Sequence, residues 1–288
     1  MPEPPRDLAS QVEAALREDI GSGDVTAALV PAGQRVRGSV VTRENAILAG
    51  RPWADAIFRH LDPQVQLNWH ARDGEPIAAN QVVFDIAGHA RPVLTGERTA
   101  LNFLQLLSGT ATATQRFVQA VAGTGCAIID TRKTLPGLRS AQKYAVLCGG
   151  GQNHRMGLYD RILIKENHIA AAGSLGGAIR AARSQRQGLT VEVEVESLAE
   201  FEEALRAAPD IVLLDEFSHA DLRAAVALNV AAAARGGRVK LEASGSVSLE
   251  TVRAIAETGV DFISIGALTK HVRAIDLSMR LEFSPAQS

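Results

Sequence analysis

After Gly125 the chain alternates strand-length apolar runs with helical patterns. CAIID, RILIK, TVEVEVE, IVLLDEF, VKLEASG and FISIGA are the strand candidates, and most gaps between them carry helical spacing. Parallel neighbours can be joined only by a crossover, so strand-then-helix repetition predicts an α/β parallel sheet. Asp130, Lys165, Glu194, Asp215, Ser244 and Gly266 all fall at or near the C-terminal ends of these strands, and a parallel barrel gathers its chemistry on that rim. A doubly wound open sheet also places sites at strand ends. It requires a Gly-rich turn after its first strand, however, and Asp130 to Pro136 is not one. In VEVEVE, Val191, Val193 and Val195 share one face and Glu192, Glu194 and Glu196 the other. The valines are therefore expected against the helices and the glutamates in the lumen.

Upstream, Leu8, Val12, Ala15, Leu16 and Ile20 follow helical spacing and stop at Gly21. VRGSVVTR, QVQLNWH and QVVFDIAG read as strands interrupted by a helical segment near Pro52 to Leu61, which predicts a small α+β domain. A long apolar helical pattern from Ala100 to Val121 links it to the barrel. Ser197 to Glu200 has the form of a capping box, and Gly236-Gly237 forms a stop after the helix that carries Leu222, Val226 and Val230.

Charge narrows the function. Between Asp130 and His168 stand Arg132, Lys133, Arg139, Lys143, His154, Arg155, Arg161, Lys165 and His168, against the acids Asp130, Asp160 and Glu166, whereas the whole chain carries a formal net charge of -2. Such local positive charge fits a small anion and argues against a nucleic-acid backbone. The N-terminus lacks a basic-then-apolar signal, and no run reaches the roughly 18 apolar residues of a membrane span, so the expected setting is cytoplasmic with no membrane partner. Cys126 and Cys148 have neither metal-ligand nor secreted-framework spacing and are expected as buried thiols.

Within the cationic stretch, Arg132 and Arg155 are planar, permanently charged donors suited to the small anion that the local charge implies. Lys133 directly follows Arg132, and Lys165 closes the ILIK strand, so both are placed to project ammonium charge to the rim. His154 sits beside Arg155 after three glycines, as a candidate hydrogen-bonding partner of an anion. Arg139 and His168 read equally as loop-holding residues. Glu194 and Asp215 offer hard oxygen ligands on neighbouring strands, a donor set that suits Mg2+. Ser244-Gly245-Ser246 and Gly266-Ala267-Leu268 follow the last two strands, a familiar phosphate position in barrels.

DTRKTLPGLR, KYAVLCGGGQNHRMGLYDRILIKENHI, VEVEVES, LLDEF, EASGSVS and IGALTKHVRAIDLSMRL, preceded by ERTALNFLQLLSGTAT, together resemble the quinolinate phosphoribosyltransferases (carboxylating nicotinate-nucleotide pyrophosphorylases) of the type II phosphoribosyltransferase family. The similarity runs over nearly the whole chain, in order. It implies an N-terminal α/β sandwich over residues 1–110, with the tail 275–288 as a candidate to complete it, and an incomplete, about seven-stranded parallel α/β barrel over 111–274. The implied reaction joins quinolinate to phosphoribosyl pyrophosphate with Mg2+, giving nicotinate mononucleotide, pyrophosphate and CO2 for NAD biosynthesis. The implied substrate contacts are Thr131, Arg132, Lys133, His154, Arg155, Lys165, Glu194, Asp215, Ser244, Gly245, Ser246, Gly266, Ala267 and Leu268. Of these, Lys133, Lys165, Glu194 and Asp215 are expected to be catalytic. The resemblance further implies a homodimer, with assembly to a hexamer left open, in which Arg98 reaches into the neighbouring subunit's site. Ser246 stands where relatives often carry Gly or Asn, which bears on a side-chain contact but not on a backbone one. The alternative is a paralogous pyrophosphorylase of the kind associated with molybdenum transport, acting on a different acceptor.

Overall fold

The computed structural model describes residues 2–185, 188–233 and 238–283. The chain divides into two units that interleave along the sequence: one takes the described residues up to Gln115, Thr134–Gly150 and Leu268 onward, the other Arg116–Lys133 and Gly151–Ala267.

In the first unit four antiparallel strands form a sheet in the order Leu277–Phe283, Arg35–Thr42, Val82–His89, Gln66–Trp69. The C-terminal strand pairs residue for residue with Arg35–Thr42, Met279 opposite Val40. That pairing requires Gly38, where an added Cβ would stand 2.3 Å from the Arg280 carbonyl oxygen. Helix Leu8–Ile20 ends at Gly21 as its spacing predicts, and Arg51–Leu61 covers the expected Pro52 region. The latter begins where it does because Asp73 accepts hydrogen bonds from the Gly50 and Arg51 N–H groups at 3.0 and 3.3 Å, satisfying donors a helix start leaves open. Trp53, Phe58, Phe84, Leu104 and Leu107 are fully buried at the centre of this unit.

Two expectations change here. The long helix runs Ala90–Ala120, ten residues earlier than the apolar pattern shows. Pro92 falls in its first turn, where no N–H is needed, and Gly96 lets it close on its neighbour: a Cβ there would lie 2.8 Å from Leu61 and 2.9 Å from Phe58. The division of the fold is finer than the single boundary expected after residue 110, because Thr134–Gly150 belongs to the first compact unit. Its helix Arg139–Cys148 buries Ala141 to Val146, Tyr144 donates to Asp73 at 2.7 Å, and Gln142 donates to the Thr269 carbonyl at 2.9 Å. A Cβ on Gly149 would stand 2.4 Å from the Ala111 carbonyl oxygen.

The second unit is the barrel. Its parallel strands run in the order Ala127–Ile129, Phe262–Ser264, Lys240–Ser244, Ile211–Asp215, Val191–Val195, Ile162–Ile164. The first strand in sequence pairs with the last, which an unclosed sequential sheet would not do, and Ile129 bridges on its other side to Gln152. Six strands and the Gln152 bridge thus make seven positions. Among the described residues no pairing joins Gln152 to Ile162–Ile164, so the ring is incomplete. Val191, Val193 and Val195 are buried, and Glu192, on the opposite face, is buried too. Ser197 caps helix Leu198–Ala207 by accepting from Glu200 N–H, while the Glu200 carboxylate reaches back to Glu196 N–H at 2.8 Å. Helix His219–Ala233 carries Leu222, Val226 and Val230; the Gly236-Gly237 stop lies outside the described residues.

Both cysteines are free thiols; Cys148 is buried as expected, whereas Cys126 is only half-buried. Burial, aided by Asp261, pushes Cys126 up to about 12, and burial, aided by Asp73, pushes Cys148 up to about 12. At pH 8 only roughly one thiol in ten thousand would be thiolate, the nucleophilic form. An aromatic disulfide reagent at pH 8 should therefore label neither cysteine until denaturant is added; rapid labelling of the folded protein would contradict this burial.

Candidate active site

The barrel rim is assembled from the loops that follow its strands. Asp130, wholly buried just past Ala127–Ile129, accepts the His154 backbone N–H at 2.9 Å and so draws the Gln152–Arg155 segment onto the first strand end. The next residues turn because Thr131 Oγ1 accepts the Lys133 N–H at 3.0 Å. Gly266 lets this turn meet the loop after the last strand: a Cβ there would be 2.9 Å from Lys133 Cδ and 3.6 Å from Thr131 Oγ1. Thr131, Lys133 and Gly266 are therefore brought together, with Arg132 half-buried between them in sequence.

Arg155, half-buried, shares its surroundings with Arg132, Arg161, Glu192 and Asp160. Burial first, and then the neighbouring Arg132, hold its guanidinium below its ordinary range, against the opposing pull of Glu192 and Asp160. An arginine stays charged at any physiological pH. The lowering therefore measures repulsion and lost solvation that an incoming dianion would relieve.

On the far side of the rim Lys165 makes a short ion pair with Glu194. Strand register sets Glu194 opposite Leu213, so Asp215, two residues further along, shares its inward face, and Ser244 stands opposite Asp215. Both Glu194 and Asp215 are half-buried. Two carboxylates with access to solvent on adjoining strands form a fitting oxygen-donor set for Mg2+.

A second acidic group lies deeper. Glu192 and Glu242 are 0% and 1% exposed, and His154 Nε2 is 2.9 Å from Glu192 and 3.6 Å from Glu242. Burial, then the adjacent Glu192, push the Glu242 carboxyl well above the usual carboxylate range. The unfolded chain would ionise this group near 4.3, whereas the folded protein keeps its proton to higher pH. Stability is thus lost as pH rises from the unfolded value toward the folded one. Glu242→Gln, which needs no proton, is expected to raise the melting midpoint at pH 7.5, by roughly 2–4 °C for each kcal/mol recovered. At pH 4 the gain should vanish. An equal gain at both pH values in thermal unfolding would contradict the assignment.

The remaining candidates are placed as follows. Both ring nitrogens of His154 are engaged within the protein, Nδ1 accepting the Arg155 N–H at 2.7 Å and Nε2 facing Glu192. His168 Nδ1 accepts the Lys165 N–H at 3.0 Å, so this side chain caps the helix that follows. Arg139 donates to Thr134 at 3.2 Å and, with the buried Lys143, belongs to the first unit. Arg98 also lies there, exposed on Ala90–Ala120, as does buried Leu268, while Ala267 ends the barrel unit. Glu216 and Glu242 were not singled out from the sequence. Glu216 holds φ at 52°, accepts from Ser246 Oγ at 3.2 Å, and sits so close over Gly245 that a Cβ there would be 2.7 Å from its carboxylate. Its adjacency to Asp215 in LLDEF was the available signal.

The family models described as quinolinate phosphoribosyl transferase, N-terminal domain and C-terminal domain match residues 24–108 and 110–280. A carboxylating nicotinate-nucleotide pyrophosphorylase of Mycobacterium leprae is 43% identical over 277 residues, spanning 94% of this chain and 95% of that protein. The chloroplastic carboxylating nicotinate-nucleotide pyrophosphorylase of Arabidopsis thaliana is 39% identical over 295 residues, spanning 97% and 84%. Among solved structures, the nicotinate-nucleotide pyrophosphorylase of Francisella tularensis superposes with a TM-score of 0.92 at 46% identity, covering 97% of this chain and 98% of that one.

Proposed function

This chain belongs to the quinolinate phosphoribosyltransferase family, and from that premise we propose how its residues divide the work. The enzyme is a decarboxylating phosphoribosyltransferase of NAD biosynthesis, moving phosphoribosyl from phosphoribosyl pyrophosphate to quinolinate and giving nicotinate mononucleotide, pyrophosphate and CO2. The observation that carries the assignment of roles is the meeting, on one barrel, of the mutually repelling Arg132 and Arg155 with the inward-facing Glu194 and Asp215.

Arg132 and Arg155 grip the two carboxylates of quinolinate, which supply the charge these guanidiniums lack. Glu194 and Asp215 take the ribose hydroxyls and would hold Mg2+, which when bound would offset negative charge on the pyrophosphate. The Ser244–Ser246 turn and the Gly266–Ala267 backbone offer N–H donors to the 5'-phosphate. As the bond from ribose C1 to pyrophosphate lengthens, cationic character grows on the sugar and negative charge on the leaving group. Glu194 and Asp215 face the first, and Lys133 stabilises the second. The pyridine nitrogen attacks C1 as pyrophosphate leaves. The carboxylate next to the nitrogen then departs as CO2, its electron pair stays on that ring carbon stabilised by the adjacent pyridinium nitrogen, and a proton from solvent at that carbon gives nicotinate mononucleotide. Lys165, paired to Glu194 before substrate arrives, is placed to hold the acceptor beside the sugar. No protein nucleophile is needed.

In this reading the protein is a homodimer, and the exposed Arg98 completes the quinolinate pocket of its partner. Exposed Leu158 and Tyr159 beside the cationic segment supply apolar surface for such an assembly. Arg98→Ala and Arg155→Ala enzymes, each nearly silent at a quinolinate concentration close to the wild-type KM, should regain activity at that concentration when their subunits are exchanged. Random reassortment gives half heterodimers with one intact site each, roughly a quarter of the wild-type rate. No recovery in a mixture shown to exchange would contradict the shared site. Two free cysteines and no described helix long and apolar enough to cross a membrane suit a reducing, cytoplasmic setting. Incubation with quinolinate, phosphoribosyl pyrophosphate and Mg2+ tests the reaction, which should yield nicotinate mononucleotide and CO2 in equal amounts; product without CO2 would refute it.

A further inference from the structure

Behind Arg155 lies a chain of hydrogen bonds within the protein. Glu192, fully buried, faces Nε2 of His154 at 2.9 Å. His154 Nδ1 accepts the Arg155 N–H at 2.7 Å, and Asp130 accepts the His154 N–H at 2.9 Å. The backbone on both sides of the His154–Arg155 peptide is thereby tied to two different strands.

His154, Glu192 and Glu242 could be taken for a cation site, since their ligand atoms all lie within 4.8 Å of one another and Glu242 is buried with neither carboxylate oxygen hydrogen-bonded. Hydrogen-bond direction argues otherwise. Because Nδ1 accepts a backbone N–H, the ring hydrogen must sit on Nε2, which then has no lone pair to offer a metal and donates to Glu192 instead. Arg161, 3.4 Å from Glu192, adds a fixed positive charge beside the same oxygen.

We propose that Glu192 is a positioning residue for the acceptor: by holding the His154 ring in one tautomer and orientation, it fixes the backbone from which Arg155 reaches the quinolinate carboxylates. This rests on the assignment of Arg155 as a quinolinate ligand. Removing the carboxylate would leave a buried N–H without an acceptor and free the ring to turn, so the cost should fall on the acceptor and not on the sugar diphosphate.

Steady-state kinetics of five variants test it. Glu192→Leu should raise KM for quinolinate about tenfold while KM for phosphoribosyl pyrophosphate stays within about twofold. Glu192→Gln keeps a carbonyl acceptor at the same reach and should restore quinolinate KM to within about threefold of wild type. In a His154→Ala background, Glu192→Leu should add no more than about twofold, because the route through the ring is already cut. Glu192→Asp keeps the charge but falls short of the ring, and should behave like Leu. It carries the test if the Leu variant does not fold. Equal rises in both KM values, no rescue by Gln, multiplicative effects in the double variant, or a wild-type Asp variant would each overturn the proposal. If instead Arg155→Ala itself weakens both substrates alike, the assignment of Arg155 fails, and that outcome is distinct from failure of Glu192 alone.

Discussion

Arg155→Ala weakens quinolinate binding by roughly 100-fold, about 2.7 kcal/mol, while phosphoribosyl pyrophosphate affinity changes by less than about threefold. The size follows from a charge-assisted guanidinium–carboxylate contact in a half-buried site, where water competes weakly. The selectivity follows from position. Arg155 neighbours Arg132 and Arg161, while the residues assigned to the sugar lie on the Val191–Val195 and Ile211–Asp215 strands. Truncation also relieves repulsion on Arg132, so part of the loss is offset by a better-solvated neighbour, and the measured value should not exceed the contact's full worth. Calorimetric titration of each ligand measures the split. Equal losses for both would remove Arg155 from the acceptor pocket.

Glu194→Ala and Asp215→Ala produce the opposite pattern, a fall in kcat of roughly 10^2–10^3-fold with quinolinate affinity held within about threefold. In the proposed division of work these carboxylates would serve the charge that develops on the sugar and a divalent ion accompanying the pyrophosphate, so their loss should be felt in the transition state more than in acceptor binding. Glu194→Ala has a second consequence, because it releases Lys165 from its ion pair. A freed ammonium would strengthen ground-state binding of an anionic acceptor, so this variant is expected to bind quinolinate at least as well as Asp215→Ala does. Both variants should need more Mg2+ to reach half-maximal rate. A Mg2+ dependence identical to wild type would assign the two acids a structural role.

Much of the barrel could be read from the chain because period-two and helical patterns alternate cleanly after Gly125, and its polar strand ends mark the rim directly. The interleaving of the units could not be read. Arg139 and Lys143 share a cationic stretch with Arg132 and Arg155, yet their helix packs with Asp73 and Thr269, contacts 71 and 127 residues away in sequence. Helix Ala90–Ala120 extends ten residues before the apolar pattern that begins at Ala100, through Pro92 in its first turn and Gly96 at the close approach of Phe58, positions whose tolerance in a helix depends on those surroundings. Glu242 looked like one polar residue in an alternating strand. Its character comes from burial and then from Glu192, two strands away in the same sheet, a partnership that sequence spacing does not reveal. His154 was legible as a member of the site but not by role, since the acceptor of its Nε2 lies 38 residues further along the chain.

The central claim is that a diacid and a metal-bound sugar diphosphate meet at one barrel mouth, held by cations on one side and by two acids on the other. A crystal structure of the enzyme with quinolinate and Mg2+–phosphoribosyl pyrophosphate, slowed by Lys133→Ala, tests it most directly. The account predicts quinolinate carboxylates within hydrogen-bonding distance of Arg132 and Arg155, the ion on Glu194 and Asp215, and the pyridine nitrogen facing ribose C1. Quinolinate bound away from both arginines, or an ion held by neither acid, would contradict it.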